Sequence, residues 1–458
     1  MSTLARRFDP NQMAGLRMRV SAVIQDAFIR ITLRMHRAAT YRPCLRNGDE
    51  MSRDLTTIVC DGFRAAFDRE PLGVWSAPGR VSIMGDHTDL QDGVGYACAI
   101  PLRSSAAIAP REDGRIRIVT DLSTDEAVTD LRSISSEIPT QDWRAYPLGA
   151  VASMLRFARE NPPEGTRGDG DETDPGVPFF LGTGLEIFLT TDIPIGAGLA
   201  SSASICATIS TALNDFWGLG MNVEELAEIG RQTEADIVGA PGGLTDHITV
   251  HAARSDEDVF FDARGSDVSI LAATSSAESG LARVLIDTKE SHRNWSAEFA
   301  TRAGDCARAA EVLGFQTLRE VRPAELDAAA DKLDEVVFRR ARHVVSEIAR
   351  TLEFTKLMRT GESPEERNHL LAASQTSLRE DFEVSTARID FTVELATYLG
   401  AASARMTGTG LGGSVFVMHP VDKVEELRES VLSAYAEQGW EAPLVLSFEP
   451  EAGSRRDR

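Results

Sequence analysis

The chain has 458 residues and a formal net charge of −22, with 42% hydrophobic and 26% charged residues. That length allows two or three domains with full cores, and the acidic balance excludes a general binder of nucleic acid or anionic membrane, since both need a basic face. An anionic nucleotide stays allowed, because backbone amides and a metal ion neutralise phosphates locally.

The first fifty residues run against this balance, with nine arginines against four acids. Leu16 to Arg37 shares an arginine-rich amphipathic pattern with organelle transit peptides. We read residues 1–50 as a basic extension, poorly ordered or non-native. Cys44, Cys60, Cys98, Cys206 and Cys306 are odd in number and widely spaced. Without CxxC or Cys/His spacing they argue against a disulfide framework or zinc site, and for a reducing cytoplasm. No apolar run reaches the roughly 18 residues of a membrane span.

From Met51 the pattern predicts a helix over Leu55–Asp68, then apolar strand-like runs at Val74–Ala77, Arg80–Met84 and Tyr96–Leu102. Between and after the first two lies Ala77-Pro-Gly-Arg80-Val-Ser-Ile-Met-Gly85-Asp86-His87-Thr88-Asp89. An arginine, two carboxylates and a histidine packed among apolar residues are costly unless something hydroxylated or charged binds them. A polyol such as a sugar would satisfy them.

Alternation over Arg115–Thr120 predicts a half-buried strand, and Tyr146–Glu160 a helix. Residues 161–178, rich in proline, glycine and acids, read as a solvated insertion. A strand at Leu185–Thr190 leads into Pro194-Ile-Gly196-Ala197-Gly198-Leu199-Ala-Ser201-Ser202-Ala203-Ser204 and a helix with an apolar face of Ile205, Ile209, Leu213 and Phe216. Two glycines before a helix start make an anion cradle, with serine hydroxyls available to a phosphate or its metal. The plain alternative is a glycine turn with serine N-caps. The loop is neither GxxxxGK[ST] nor GxGxxG, so the common nucleotide folds are not indicated.

A helix over Val223–Asp236 carries Glu234 and ends before Gly239-Ala-Pro-Gly242-Gly243-Leu-Thr-Asp246. Glu234 and Asp246 suit a division of labour, one carboxylate holding Mg²⁺ and the other accepting a proton; alone they also read as a helix-end acid and a turn aspartate. Strands are expected at Ile248–His251 and Val259–Asp262. Beyond about Leu285 the chain reads as mostly helical until Ala404–Met406, Val415–Met418 and Leu444–Phe448. Between the first two of these lies Thr407-Gly408-Thr409-Gly410-Leu411-Gly412-Gly413, a tight backbone that a β-hairpin turn would also explain. Strands and helices in both halves suggest an α+β protein of two packed domains.

Taken in order, these segments resemble the GHMP kinase superfamily and, within it, the galactokinase family, from about Trp75 to Phe448. The resemblance implies an N-terminal α/β domain (51–265) with a left-handed βαβ-type ATP site, packed on a ferredoxin-like C-terminal domain (266–450), with 451–458 as a tail. It implies transfer of the γ-phosphoryl of ATP to a sugar hydroxyl, in galactokinases the anomeric one. Asp246 would be the general base beside Arg80. Ser202 and Glu234 would hold Mg²⁺. Gly196, Gly198, Ser201 and Ser204 would line the triphosphate, and Pro194, Ala197, Leu199, Ser202, Ala203, Gly408 and Gly410 would also belong to the ATP site. Arg80, Asp86, His87, Asp89, Gly243, Asp246 and Phe299 would face the sugar. ATP and a small sugar are the implied partners, with no obligate protein partner.

Departures from the family pattern gather at the sugar. Asp86 stands where glutamate is usual, Leu90 and Gln91 replace Tyr-Asn, and Gly242 and His247 replace cysteine and glutamine. Phe299 stands for a tyrosine and Cys206 for a glutamate. Galactose leads as the acceptor. Another sugar (pentose, amino sugar or heptose) and a catalytically idle sugar/ATP sensor are the alternatives.

Overall fold

The computed structural model describes residues 54–139, 142–161, 183–240, 242–265, 267–291 and 295–458. The expected extension 1–50 and nearly all of the expected insertion lie outside them. Helix α1 (Leu55–Phe67) starts on Asp54, whose carboxylate accepts from the Thr56 N–H, and ends on Asp68 in left-handed backbone. It covers one end of a sheet built from β1 (Gly73–Met84), β2 (Val94–Arg111), β3 (Arg115–Thr120), β4 (Ala127–Asp130) and, after α2 (Ala145–Glu160), β5 (Gly184–Thr191). The two apolar runs expected either side of Pro78 are one strand. Every residue of β1 is buried, as a strand covered on both faces requires.

Helix α3 (Ser201–Trp217) follows β5, then α4 (Val223–Gln232), a π-helical turn (Thr233–Val238) and α5 (Thr245–Ala252). Ile248–His251 was expected as a strand; it is helical. The β-branched Ile248, Thr249 and Val250 suggest extension, but Thr249 returns its hydroxyl to the Thr245 carbonyl at 2.7 Å, and packing on α4 and β1 overrides a weak local preference. Strands β6 (Glu257–Asp262) and β7 (Asp267–Ala272) extend the sheet from β2.

The second sheet is antiparallel, with β8 (Leu281–Glu290), β9 (Ser403–Thr407), β10 (Gly413–Pro420) and β11 (Leu444–Phe448) in the order β11-β8-β10-β9. Between β8 and β9 come α6 (Trp295–Leu313), α7 (Glu335–Thr360), α8 (Pro364–Glu380) and α9 (Ala387–Tyr398), and α10 (Val424–Glu437) links β10 to β11. This is the split βαβ order of ferredoxin-like domains. β8 was not expected, because its apolar run Val284–Ile286 is too short to separate strand from helix by periodicity.

The last residues leave this domain. β12 (Arg455–Arg456) pairs with β1 at Trp75 and Ser76, so the expected tail is an edge of the first sheet. That sheet likewise takes in β7, beyond the expected boundary at 265.

Candidate active site

The site begins at a fault in β1. Pro78 has no N–H to give β2, and the β1–β2 register slips between Pro78 and Arg80. A bulge here re-aims the residues beyond it: the Arg80 N–H turns to the Leu199 carbonyl at 3.1 Å. Its guanidinium, with 4% of the side chain exposed, grips Asp246 through two bonds of 2.7 Å, Nε to Oδ1 and Nη2 to Oδ2. The remaining Nη1 donates to the Gly198 carbonyl at 2.5 Å. One side chain thus joins the first motif, the phosphate-loop candidate and α5. Asp246 keeps 36% of its side chain exposed, so the carboxylate is fixed yet open to a reactant.

The Pro194–Ala200 loop enters α3 through Ala200, in left-handed backbone with φ 57° and no side-chain cap. Uncapped first-turn N–H groups and the helix dipole suit an anion. The hydroxyls of Ser201 and Ser202 stand at this turn, half-buried. Ser204, expected along the triphosphate, does not face the loop. Its Oγ is fully buried, donates to the Ala77 carbonyl (2.7 Å) and accepts from Ser104 Oγ (2.9 Å), one turn further round the helix, where small residues let α3 press on β1 and β2. The Leu199 and Ala203 side chains are likewise core. Their part in a site is confined to the backbone.

Gly408 closes the loop from the other domain. It sits at φ 79°, and a Cβ there would come within 2.5 Å of the Gly198 carbonyl oxygen. Ser414 of β10 donates to the Ala197 carbonyl at 2.8 Å. Gly410 follows in the same turn, also in left-handed backbone.

Glu234 lies on the π-turn, an irregularity frequent at functional sites. Its Oε2 is 3.4 Å from His247 Nε2, while its buried Oε1 has no partner among the described residues. An orphaned carboxylate oxygen fits a cation ligand. Among the described residues no cluster of three acidic, histidine or cysteine side chains stands ready for a metal.

The third group is Asp86, His87, Asp89 and Gly243. Asp89 is pushed up to about 6, first by burial and then by the charge of Asp246, against a hydrogen bond from Thr245. Gly243 gives it room: a Cβ there would fall 1.8 Å from Asp89 Oδ2. His87 stands in left-handed backbone at φ 67°, its ring centroid 4.5 Å from Phe382 and 6.0 Å from Phe299. Burial and neighbouring His343 hold it neutral, well below its ordinary value. Asp86 is buried against Arg405 of β9.

Sequence reasoning gave no role to Arg405, Glu347 or His343. The spacing of the last two carried a signal, two polar side chains four apart on the otherwise apolar stripe of Val337, Ala341, Val344 and Ile348 on α7. Gln91, expected at the sugar edge, is buried and accepts the Leu318 N–H at 3.1 Å. It anchors the loop to the second domain.

Comparison with known proteins bears on the same residues. The GHMP kinases N terminal domain matches residues 172–252, the galactokinase galactose-binding signature residues 61–110, and the GHMP kinases C terminal domain residues 355–437. A galactokinase from Streptomyces coelicolor is 33% identical over 411 residues, 89% of this chain and 100% of that protein. A galactokinase from Mycobacterium bovis is 32% identical over 371 residues, 81% and 95% of the two chains. The crystal structure of Lactococcus lactis galactokinase complexed with galactose superposes with a TM-score of 0.77 at 24% identity, covering 88% of this chain and 100% of that one. Methanococcus jannaschii mevalonate kinase shares the fold more distantly, at a TM-score of 0.55 and 18% identity over 82% and 98%. With a bidentate Arg80–Asp246 pair set beside a phosphate-loop turn, and relatives matched along almost their whole length, the chain belongs to the galactokinase family of the GHMP kinases.

Proposed function

We propose that this family member transfers the γ-phosphoryl group of ATP to the anomeric hydroxyl of galactose, giving galactose 1-phosphate and ADP. The observation that carries the reading is the Arg80–Asp246 pair, fixed by two bonds and tied through Gly198 to the loop that would cradle the triphosphate. Asp246 takes the proton from the anomeric oxygen as that oxygen bonds to the γ-phosphorus and the bond to the β,γ-bridging oxygen breaks. A carboxylate held in place suffices, because phosphoryl transfer depends more on placement and charge neutralisation than on early deprotonation. Arg80 contributes the fixed positive charge.

Ser202 and the unpartnered Glu234 Oε1 would hold Mg²⁺, which supplies charge neutralisation at the phosphates. The uncapped N–H groups of α3 and the Gly408 turn would hold the nucleotide tail. Asp86, His87, Asp89 and the Gly243 backbone would read the sugar hydroxyls, with Phe299 forming an apolar wall. The four described cysteines are buried free thiols, which supports a reducing compartment such as the cytoplasm. Presence of Asp246 and Ser202 speaks against an idle sensor.

Asp246→Asn keeps the shape and removes the base. ADP release with galactose should fall by about 10²–10⁴-fold, with ATP affinity by calorimetry unchanged. Near wild-type turnover would refute the base assignment. Mass spectrometry of products from a panel of hexoses, amino sugars, pentoses and heptoses tests the acceptor, and phosphorylation of another sugar in preference to galactose would overturn it.

A further inference from the structure

Residues 82–86 belong to the first domain by chain position, yet the second domain holds them. The β1–β2 register breaks again between Ser82 and Met84, which frees backbone groups from the ladder. Thr407 of β9 takes over at Ser82, its Oγ1 accepting the Ser82 N–H at 2.8 Å and donating to the Ser82 carbonyl at 3.0 Å. Glu347 of α7 accepts the Gly85 N–H at 2.9 Å. Central to the group is Arg405, with none of its side chain exposed. Its Nη1 donates to the Ile83 carbonyl and its Nη2 to Asp86 Oδ2. An arginine buried this fully needs a reason.

We propose that Arg405 is a positioning residue for the acceptor: it touches no substrate, but pins Oδ2 of Asp86 and leaves Oδ1, charged and aimed by the locked 82–86 backbone, to receive sugar hydroxyls. This rests on the reading of Asp86 as a sugar ligand and extends it to a residue of the opposite domain. The shorter side chain at position 86 makes the grip consequential, since an aspartate has fewer rotatable bonds with which to recover if its partner is lost. Arg405 also shares one hairpin with Gly408 and Ser414, which press on the phosphate loop. The same rigid piece therefore sets both substrate sites.

The charged and titratable groups facing Asp86 are Arg405 from β9, Arg80 from β1, and Glu347 and His343 from α7, with His87 adjacent in the chain. Burial drives the Asp86 carboxyl upward and Arg405 most strongly opposes this. Glu347 is itself held to about 2 despite its burial, by Arg350, His343 and Arg405, and His343 is lowered to about 4, chiefly by burial. Neither changes charge between pH 5 and 8. Asp89 titrates at about 6, but burial and Asp246 rather than Arg405 set that value, so a change of acid limb on removing Arg405 reports on Asp86.

The test is Arg405→Met and Arg405→Lys in the full chain. For Arg405→Met we expect KM for galactose to rise about tenfold or more with KM for ATP within about twofold, and the acid limb of kcat/KM for galactose to move to higher pH. Lysine, which keeps the charge but loses the fork, should restore part of the affinity and most of the pH profile. A folded Arg405→Met whose galactose KM is unchanged, or whose two KM values rise together, overturns the proposal. Should Arg405→Met fail to fold, Asp86→Asn/Arg405→Met removes the unpaired buried acid. Its galactose KM should equal that of Asp86→Asn alone, and additive effects would overturn the assignment. If the wild type neither binds nor phosphorylates galactose, the function reading fails by itself. The Arg405 assignment is then read from the ¹³C carboxyl resonance of Asp86, whose titration must move upward in Arg405→Met relative to wild type and by less in Arg405→Lys, and does not if the proposal is wrong.

Discussion

Asp89 and Asp246 show how two carboxylates of one site are given different tasks. Asp246 has a guanidinium to itself, while Asp89, buried and beside that negative charge, holds its proton up to about pH 6. The value lies above the ordinary 3.8, so between about 4 and 6 the folded chain binds a proton that the unfolded chain has lost. Stability from this group is therefore largest below pH 4 and declines as pH rises through 6, while the proposed contact with the sugar uses the charged form. We expect kcat/KM for galactose to fall about tenfold per pH unit below 6. Asp89→Asn should lose activity yet melt at a higher temperature than wild type at pH 8, with the advantage gone at pH 4. A wild-type profile flat down to pH 5 would contradict this. At this scale the sequence was informative about which residues matter, because Arg80, Asp86, His87 and Asp89 stand within ten positions. It was silent on what Ser204 and Gln91 touch, since one turn of helix or one reversal of a loop decides between site and core.

Among the elements, the β9–β10 hairpin does the most joining. Its turn lies on the phosphate loop and its strand on the end of β1. Gly408→Ala would drive a methyl into the Gly198 carbonyl and strain a left-handed backbone. We expect KM for ATP to rise about tenfold with galactose KM little changed, measured by initial rates with each substrate varied. A larger effect on galactose would show that the turn does not serve the nucleotide. Four glycines in six positions announced a tight turn from the sequence. That Arg405, just before them, reaches the other domain could not be read, because the pairing of two distant strand ends is a property of the docked domains. The π-turn carrying Glu234 was hidden for a related reason: one inserted residue leaves helical periodicity nearly intact over so short a stretch.

Across the whole molecule the two sheets are joined by a buried ion pair. Arg283 of β8 donates to both oxygens of Asp258 on β6, at 2.6 and 3.0 Å, and Tyr96 of β2 adds its hydroxyl at 3.0 Å. Arg283→Met leaves the fully buried Asp258 without its cation, and should cost about 3–5 kcal/mol in urea unfolding, whereas Arg283→Met/Asp258→Asn should recover a good part of it. If the single variant loses less than about 1 kcal/mol, the pair is not a main fastening between the domains. The existence of two α+β halves was legible from motif order. Their true limits were not, because the strand at 267–272 prolongs the first sheet as a hairpin with β6 past the expected boundary, and the strand at 455–456 pairs with β1, far earlier in the chain.

The returning C-terminal segment bears on how the protein is made. Arg103, buried in the first sheet, donates to the carbonyls of Ala452 and Gly453, 349 and 350 positions later, while Ser454 reaches α5 and α3 through His251 and Thr211. Strand β1 and helix α5, which present Arg80 and Asp246, therefore each gain their last neighbour only at the end of translation. A nascent chain stalled before residue 451 would hold Arg103 through Ser76 without its two C-terminal carbonyls and leave the outer edge of β1 open.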